Sequence, residues 1–131
     1  MAQLQVELVA ADREVWSGQA TTVIARTVDG DLGILPGHAP LLSVLVDSVV
    51  TIRTPEGRGI LAAVHGGFIS VADDEVALLT EVAELAEEID VARAEEDMRR
   101  AEAEGGETNE ASAALLRRAR LRLRAAELQR D

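Results

Sequence analysis

The sequence predicts an α+β fold, an N-terminal antiparallel β-sandwich followed by a C-terminal two-helix antiparallel hairpin. Three observations predict it. From Leu4 to about Val82, apolar and polar residues alternate and β-branched side chains are common. Turn signals cut that stretch every few residues. Past Glu81 the period lengthens to that of a helix, in a segment dominated by Ala, Glu and Arg. The expected boundary separates a sandwich at 1–84 from a hairpin at 85–131.

Each strand rests on its own short pattern. Leu4, Val6, Leu8 and Ala10 repeat at period two with Gln5 and Glu7 between them, which reads as a half-buried strand. Further runs are Glu14–Trp16, Thr21–Arg26, Leu42–Val46, Val49–Thr54, Gly59–Val64, Phe68–Ala72 and Glu75–Glu81. Ser17-Gly18, Asp29-Gly30, Pro55-Glu56-Gly57, Gly66-Gly67 and Asp73-Asp74 punctuate them. Seven or eight short strands with no helix-length period between them favour a sandwich or barrel.

The helices follow from spacing and caps. Val82 to Glu104 lacks Gly and Pro, and Val91, Ala94, Met98 and Ala101 share one helical face. Asp90 stands where an N-cap would, and Gly105-Gly106 supplies the stop. Asn109 can cap a second helix from Glu110 to about Gln129. Leu115, Leu116, Ala119, Leu123 and Ala126 gather there into one apolar stripe, which should meet the first helix. Arginines 117, 118, 120, 122 and 124 fill most of the remaining circumference, with Leu121 and Leu128 among them. Leucine and arginine on one outer face suit docking on an acidic partner.

Composition then narrows the function. The 131 residues carry 13 basic and 24 acidic side chains, a net charge of −11, and every basic residue is arginine. Without lysine or cysteine, a Schiff base, a phosphate-loop lysine, a cysteine nucleophile and a thiolate zinc site are excluded. The net charge opposes binding to nucleic acid and to anionic lipid. No apolar run reaches the ~18 residues of a membrane span, and Met1-Ala2-Gln3 opens no export signal, so a soluble intracellular chain with no membrane insertion is expected. The charge is uneven, since residues 110–131 hold six arginines against three acids.

Two stretches could carry chemistry. In Gly30–Leu42, Pro36 and Pro40 remove backbone donors while Gly33 and Gly37 permit positive φ. A shaped loop exposing Asp31 and His38 is expected there rather than a strand. His38 could act as a general base in a small enzyme, but a lone loop histidine lacks a nucleophile or metal partner. His65, in a strand beside Gly66-Gly67, reads as structural, and neither a metal site nor a catalytic residue is expected. The second stretch is Ile89-Asp90-Val91-Ala92-Arg93-Ala94. Arg118 and Arg122 lie i, i+4 on the second helix, so a closed hairpin could bring Arg93 to them in a small cationic cleft. Asp90 or Glu84 could then accept hydrogen bonds from a ribose or adenine. Such a site would bind a nucleotide without hydrolysing it.

With these residues in place, the chain resembles the epsilon subunits of bacterial F-type ATP synthases, whose mitochondrial counterparts are called delta. The resemblance runs through Gly33-Ile34-Leu35-Pro36-Gly37-His38-Ala39-Pro40-Leu41-Leu42, through Gly66-Gly67-Phe68, and into the hairpin. It implies a non-catalytic central-stalk rotor component, peripheral at the cytoplasmic face of the cell membrane. It implies contact of Asp31 with the c-ring and of His38 with the gamma subunit. It also implies a hairpin that inhibits ATP hydrolysis when extended, with Arg117, Arg120, Leu121 and Arg124 meeting the beta subunit of the alpha/beta catalytic head. Some members bind ATP at Ile/Leu-Asp-x-x-Arg-Ala. Ile89, Asp90, Arg93 and Ala94 match that motif, and Glu84, Arg118 and Arg122 match its companion positions. The resemblance thus implies ATP as a regulatory ligand and no obligatory cofactor. A free-standing acidic β-sandwich adaptor is the alternative, and it would leave the proline loop without a role.

Overall fold

Period-two burial is what assembles the sandwich. Along β1 (Leu4–Val9) the side chains of Leu4, Val6 and Leu8 are fully buried while Gln5 and Glu7 between them are exposed. The computed structural model describes residues 2–130. The further strands are β2 (Glu14–Ala20), β3 (Thr22–Thr27), β4 (Gly30–Ile34), β5 (Leu41–Val44), β6 (Ser48–Arg53), β7 (Gly59–His65), β8 (Phe68–Ala72), β9 (Glu75–Leu79) and β10 (Val82–Leu85). They form two five-stranded sheets, in the orders β2-β1-β9-β8-β5 and β10-β7-β6-β3-β4. Between them lies one core that includes Leu4, Leu8, Ile34, Ile52, Ile69 and Leu78, all fully buried. Each such side chain contributes about 1.5–3 kcal/mol by leaving water.

Three features differ from the sequence expectation. Gly30–Ile34 is a strand, not the start of a loop. It pairs with β3 alone at the sheet edge, where a glycine and nearby prolines break no second ladder. Positive φ there falls at Gly30 and Gly37, not at Gly33. Val82–Leu85, with a helix-like composition, is a tenth strand held by its antiparallel register on β7. The last strand residue is Leu85. Finally, β1 and β9 pair in parallel within an otherwise antiparallel sandwich. Their wide separation in sequence removes the short connection that would force an antiparallel pair.

A 3-10 turn (Ala86–Glu88) leads to α1 (Val91–Ala103) and α2 (Glu110–Arg130). The Asp90 carboxylate accepts from the Arg93 N–H at 3.0 Å, capping α1 as expected. Asn109 accepts from the amides of Ala111 and Ser112 and so starts α2. Leu116, Ala119 and Ala126 are buried, with Leu115 and Leu123 half-buried. Leu121 departs from expectation. It is half-buried against a second, smaller cluster of Ala63, Ala86, Ile89, Ala125 and Ala126. α2 thus has two covered sides, one on α1 and one on the outer face of the β10-β7-β6-β3-β4 sheet. A single apolar stripe therefore does not account for Leu121, which lies outside it.

Candidate functional site

The register of β7, β6 and β3 decides which side chains meet α2. Ile60, Ala62 and Val64 enter the sandwich core, so Leu61, Ala63 and His65 face outward beneath α2. Glu84 pairs across the ladder with Ala63 and stands on the same face. From α2, Arg122 reaches Glu84 in a bidentate pair, Nε to Oε1 at 2.7 Å and Nη2 to Oε2 at 3.2 Å. From α1, Asp97 approaches Arg122 Nη1 at 3.8 Å and accepts from Arg100 at 3.1 Å and Arg93 at 3.4 Å.

These residues enclose a cleft of about 260 Å³ lined by Val82, Glu84, Asp97, Leu115, Arg118, Ala119 and Arg122. Four of the expected nucleotide residues are drawn together here: Glu84, Arg118 and Arg122 on the cleft, and Arg93 through Asp97. Arg118 has no ion-pair partner among the described residues, so its guanidinium is free for an anion. Arg122 and Arg93 are instead neutralised by carboxylates of the chain itself, so the cleft is a mixed-charge cluster rather than the open cationic one expected. Asp97 was not expected at this site. Its signal in the sequence was its spacing, four residues after Arg93 and three before Arg100.

The other motif residues serve the helix start. Asp90 carries the cap, with its carboxylate turned to the α1 backbone. Ile89 is buried in the small alanine cluster, and Ala94 is fully buried. Ile89 and Ala94 therefore set where α1 sits, which places Arg93 and Asp97. The cleft is smaller than the roughly 300–1,000 Å³ typical of ligand pockets. A triphosphate could engage Arg118 directly but would have to exchange with Glu84 or Asp97 to reach Arg122.

The residues assigned to a beta-subunit surface divide. Arg117, Arg120 and Arg124 are exposed; Arg117 and Arg124 stand over the sheet, and Arg120 pairs with Glu107 at 3.2 Å. Leu121 is half-buried against the sheet, lining with Arg124, Leu128 and Asp31 a groove of about 390 Å³ over Ile24, Arg26 and Val49.

Asp31 and His38 lie apart on the sandwich. Asp31 is exposed on β4 and pairs with Arg26 of β3 at 2.8 Å, which holds that guanidinium above its ordinary pKa through the hydrogen bond and then the charge of Asp31. His38 lies in the loop between β4 and β5, where its Nδ1 lies 2.7 Å from the Ala39 carbonyl. That loop is fastened to the β8–β9 turn, for the Gly37 N–H donates to Asp74 at 2.7 Å. Exposed apolar side chains flank this edge: Leu35, Leu42 and Val44, with Phe68 and Leu79 on the same outer sheet face as the last two.

Comparison with known proteins places this architecture. The family described as ATP synthase, Delta/Epsilon chain, beta-sandwich domain, matches residues 3–86. A Streptomyces avermitilis protein named ATP synthase epsilon chain is 60% identical over 124 residues, 95% of each chain. A Rhodococcus jostii protein of the same name is 54% identical over 92 residues, 70% of this chain and 75% of that one. Among solved structures, a chain of the Euglena gracilis mitochondrial ATP synthase (OSCP/F1/c-ring) has the same fold, with a TM-score of 0.71 at 24% identity over 97% of this chain and 79% of that one. A chain of the Tetrahymena thermophila mitochondrial ATP synthase central stalk and c-ring gives 0.61 at 18% identity, over 94% and 96%. With a family match across the whole sandwich and 60% identity along nearly the whole length, the chain belongs to the ATP synthase epsilon chain family.

Proposed function

We propose that the chain is a non-catalytic rotor component of an F-type ATP synthase, coupling the gamma subunit to the c-ring through its sandwich. The apolar edge formed by Leu35, Leu42, Val44, Phe68 and Leu79 supports such docking, because contiguous exposed apolar surface suits a partner interface. His38, in the β4–β5 loop beside Leu35, and Asp31, on β4 of the other sheet, are the proposed contacts with gamma and the c-ring respectively. Among the described residues no helix is long and apolar enough to cross a membrane. In this proposal the chain is peripheral, at the cytoplasmic face of the bacterial membrane.

The hairpin regulates ATP hydrolysis in this proposal. It does so by leaving the sandwich and presenting Arg117, Arg120 and Arg124 to the beta subunit of the alpha/beta head. Leu121 would join them only after undocking. The observation that carries this reading is how small the fully covered side chains between α2 and the sheet are. The buried cluster there is four alanines and Ile89, with Val49, Leu61, Val91 and Leu121 only half-buried against it and the Glu84–Arg122 pair beside it. Alanine methyl contacts contribute far less than the leucine and isoleucine packing of the sandwich. The hairpin can therefore separate while the sandwich stays folded.

ATP would favour the docked form by engaging Arg118 and, in exchange for Glu84 or Asp97, Arg122; the Glu84 carboxylate so released, with Asp90 at the α1 start, would then meet its sugar or base. A ligand shifts such an equilibrium only through its differential affinity for the two forms. Calorimetric titration of the chain with ATP tests the nucleotide site, and no heat above buffer at millimolar ATP would count against it. Removing residues 91–131 from the assembled enzyme should raise its ATPase rate. An unchanged rate would sink the inhibitory role.

A further inference from the structure

His65 is the last residue of β7 and stands on the outer side of its sheet, in line with Leu61 and Ala63 beneath α2. It is only 7% exposed, and its Nε2 is buried with no hydrogen-bond partner among the described residues. Its Nδ1 lies 3.8 Å from an Asp47 oxygen, an ion-pair distance rather than a hydrogen bond. A small cavity of about 140 Å³ adjoins it. Asp47, Gly66 and Glu81 line that cavity from the sandwich, and Ala114, Arg117 and Arg118 line it from α2.

The charges around this imidazole come from two bodies with opposite effects. Docking of α2 removes water from the ring and sets Arg118 near it, and both disfavour the imidazolium. Asp47 and Glu84 belong to the sandwich and favour it. Burial dominates, so the docked His65 is held below the ordinary imidazole value despite Asp47 and Glu84. When α2 leaves, the cover and Arg118 go while the two carboxylates stay. Undocking also releases Glu84 from Arg122.

We propose that His65 makes hairpin docking proton-sensitive, with acidification favouring the undocked hairpin. The proposal rests on the reading that the hairpin exchanges between docked and undocked forms. Well above the ordinary histidine value near 6.5, both forms hold the ring neutral and docking has its full strength. As pH falls through that value the undocked form takes up the proton first, so docking weakens. The loss levels off below the lower pKa of the docked form. Each pKa unit separating the two forms is worth up to about tenfold in the docking ratio.

The chain contains no cysteine, so Ser17→Cys with Ala111→Cys gives one dye pair spanning sandwich and hairpin. Energy transfer in the full chain between pH 7.5 and 5.5 should report a fall of about threefold or more in the docked-to-undocked ratio. His65→Gln should abolish that fall. An equal fall in His65→Gln, or no fall in the parent, overturns the proposal. Should His65→Gln fail to fold, the imidazole resonances of the unsubstituted chain decide: a His65 midpoint below 6.5 supports the proposal, and one at or above it overturns it. Inhibition by the assembled enzyme at fixed pH 8, with and without residues 91–131, tests the switching reading separately. An inhibitory hairpin indifferent to pH overturns only the His65 role, and a hairpin that neither inhibits nor responds to protons overturns both.

Discussion

Arg122 of α2 and Glu84 of β10 meet through two parallel hydrogen bonds, 2.7 and 3.2 Å long, across the junction of hairpin and sandwich. Both side chains are largely shielded, at 16% and 27% exposure. A bidentate, charge-assisted pair in that setting adds to docking in a way an exposed pair does not. Glu84→Gln is expected to weaken docking by about 1–2 kcal/mol. The amides of α2 should then exchange faster while those of β1 and β6 do not change. Equal acceleration in both places would mean that Glu84 stabilises the whole fold rather than the latch.

Asp97 shares Arg93, Arg100 and Arg122 with any phosphate that enters the cleft. Its carboxylate stands where a phosphate would stand, so it competes with one. Asp97→Asn should strengthen ATP binding by about 3- to 10-fold, and Arg118→Ala should weaken it by a similar factor. Calorimetry on both variants checks the pair. Unchanged affinity in Asp97→Asn would show that the nucleotide leaves Arg122 with its own carboxylates.

How far these residues could be read from the chain depends on the range of the interaction. Strand alternation and the Asp90 cap are local, and the folded chain follows them. The separation of Arg118 and Arg122 from Arg117, Arg120 and Arg124 is also local, since 100° per residue already puts them on different sides of α2. The parallel pairing of β1 with β9 is non-local and leaves no short-range mark. Val82–Leu85 carries helix-forming residues, and only its ladder with β7 makes it a strand. Leu121 needed knowledge that α2 is covered on two sides. His65 gained its significance only once α2 was found above the Leu61, Ala63 and His65 side of β7.

Gly66 and Gly67 both have positive φ, 70° and 118°, but for different reasons. A Cβ on Gly67 would stand 2.1 Å from the Leu79 carbonyl oxygen and 2.7 Å from the Thr80 Cα, where backbone cannot yield. On Gly66 it would meet only the flexible Glu81 side chain, at 3.5 Å. Gly67→Ala should therefore cost at least about 3 kcal/mol or prevent folding. Gly66→Ala should cost about 1–2 kcal/mol, from backbone strain alone. Urea midpoints of the two variants test the contrast, and equal losses would refute the steric assignment.

The two-residue β8–β9 turn places Asp73 and Asp74 at φ of 52° and 63°, the left-handed pair for which Asn-Gly is the favoured sequence. Asp73→Asn is expected to raise stability by a few tenths to about 1 kcal/mol. Asp74 is different, because its carboxylate holds the Gly37 amide and with it the loop that carries His38. Asp74→Asn should keep part of that bond, whereas Asp74→Ala should cost about 1–2 kcal/mol and free the loop. Amide exchange at Gly37 distinguishes them, with protection lost only in Asp74→Ala.

Ala63 offers a way to move the hairpin without touching its charges. The residue is fully buried beneath α2, opposite Ala125 and Ala126, while its neighbours Ala62 and Val64 enter the sandwich core. A larger side chain at 63 therefore overfills the docking interface and leaves the core intact. Ala63→Leu should weaken docking by about 1–3 kcal/mol. Its sandwich should keep the parent's urea midpoint, because the strain is relieved when α2 lifts away. In the assembled enzyme the same variant should hydrolyse ATP more slowly than the parent, since an undocked hairpin is the inhibitory form in the proposed mechanism. Faster hydrolysis in Ala63→Leu would reverse that assignment and make the docked hairpin the inhibitor.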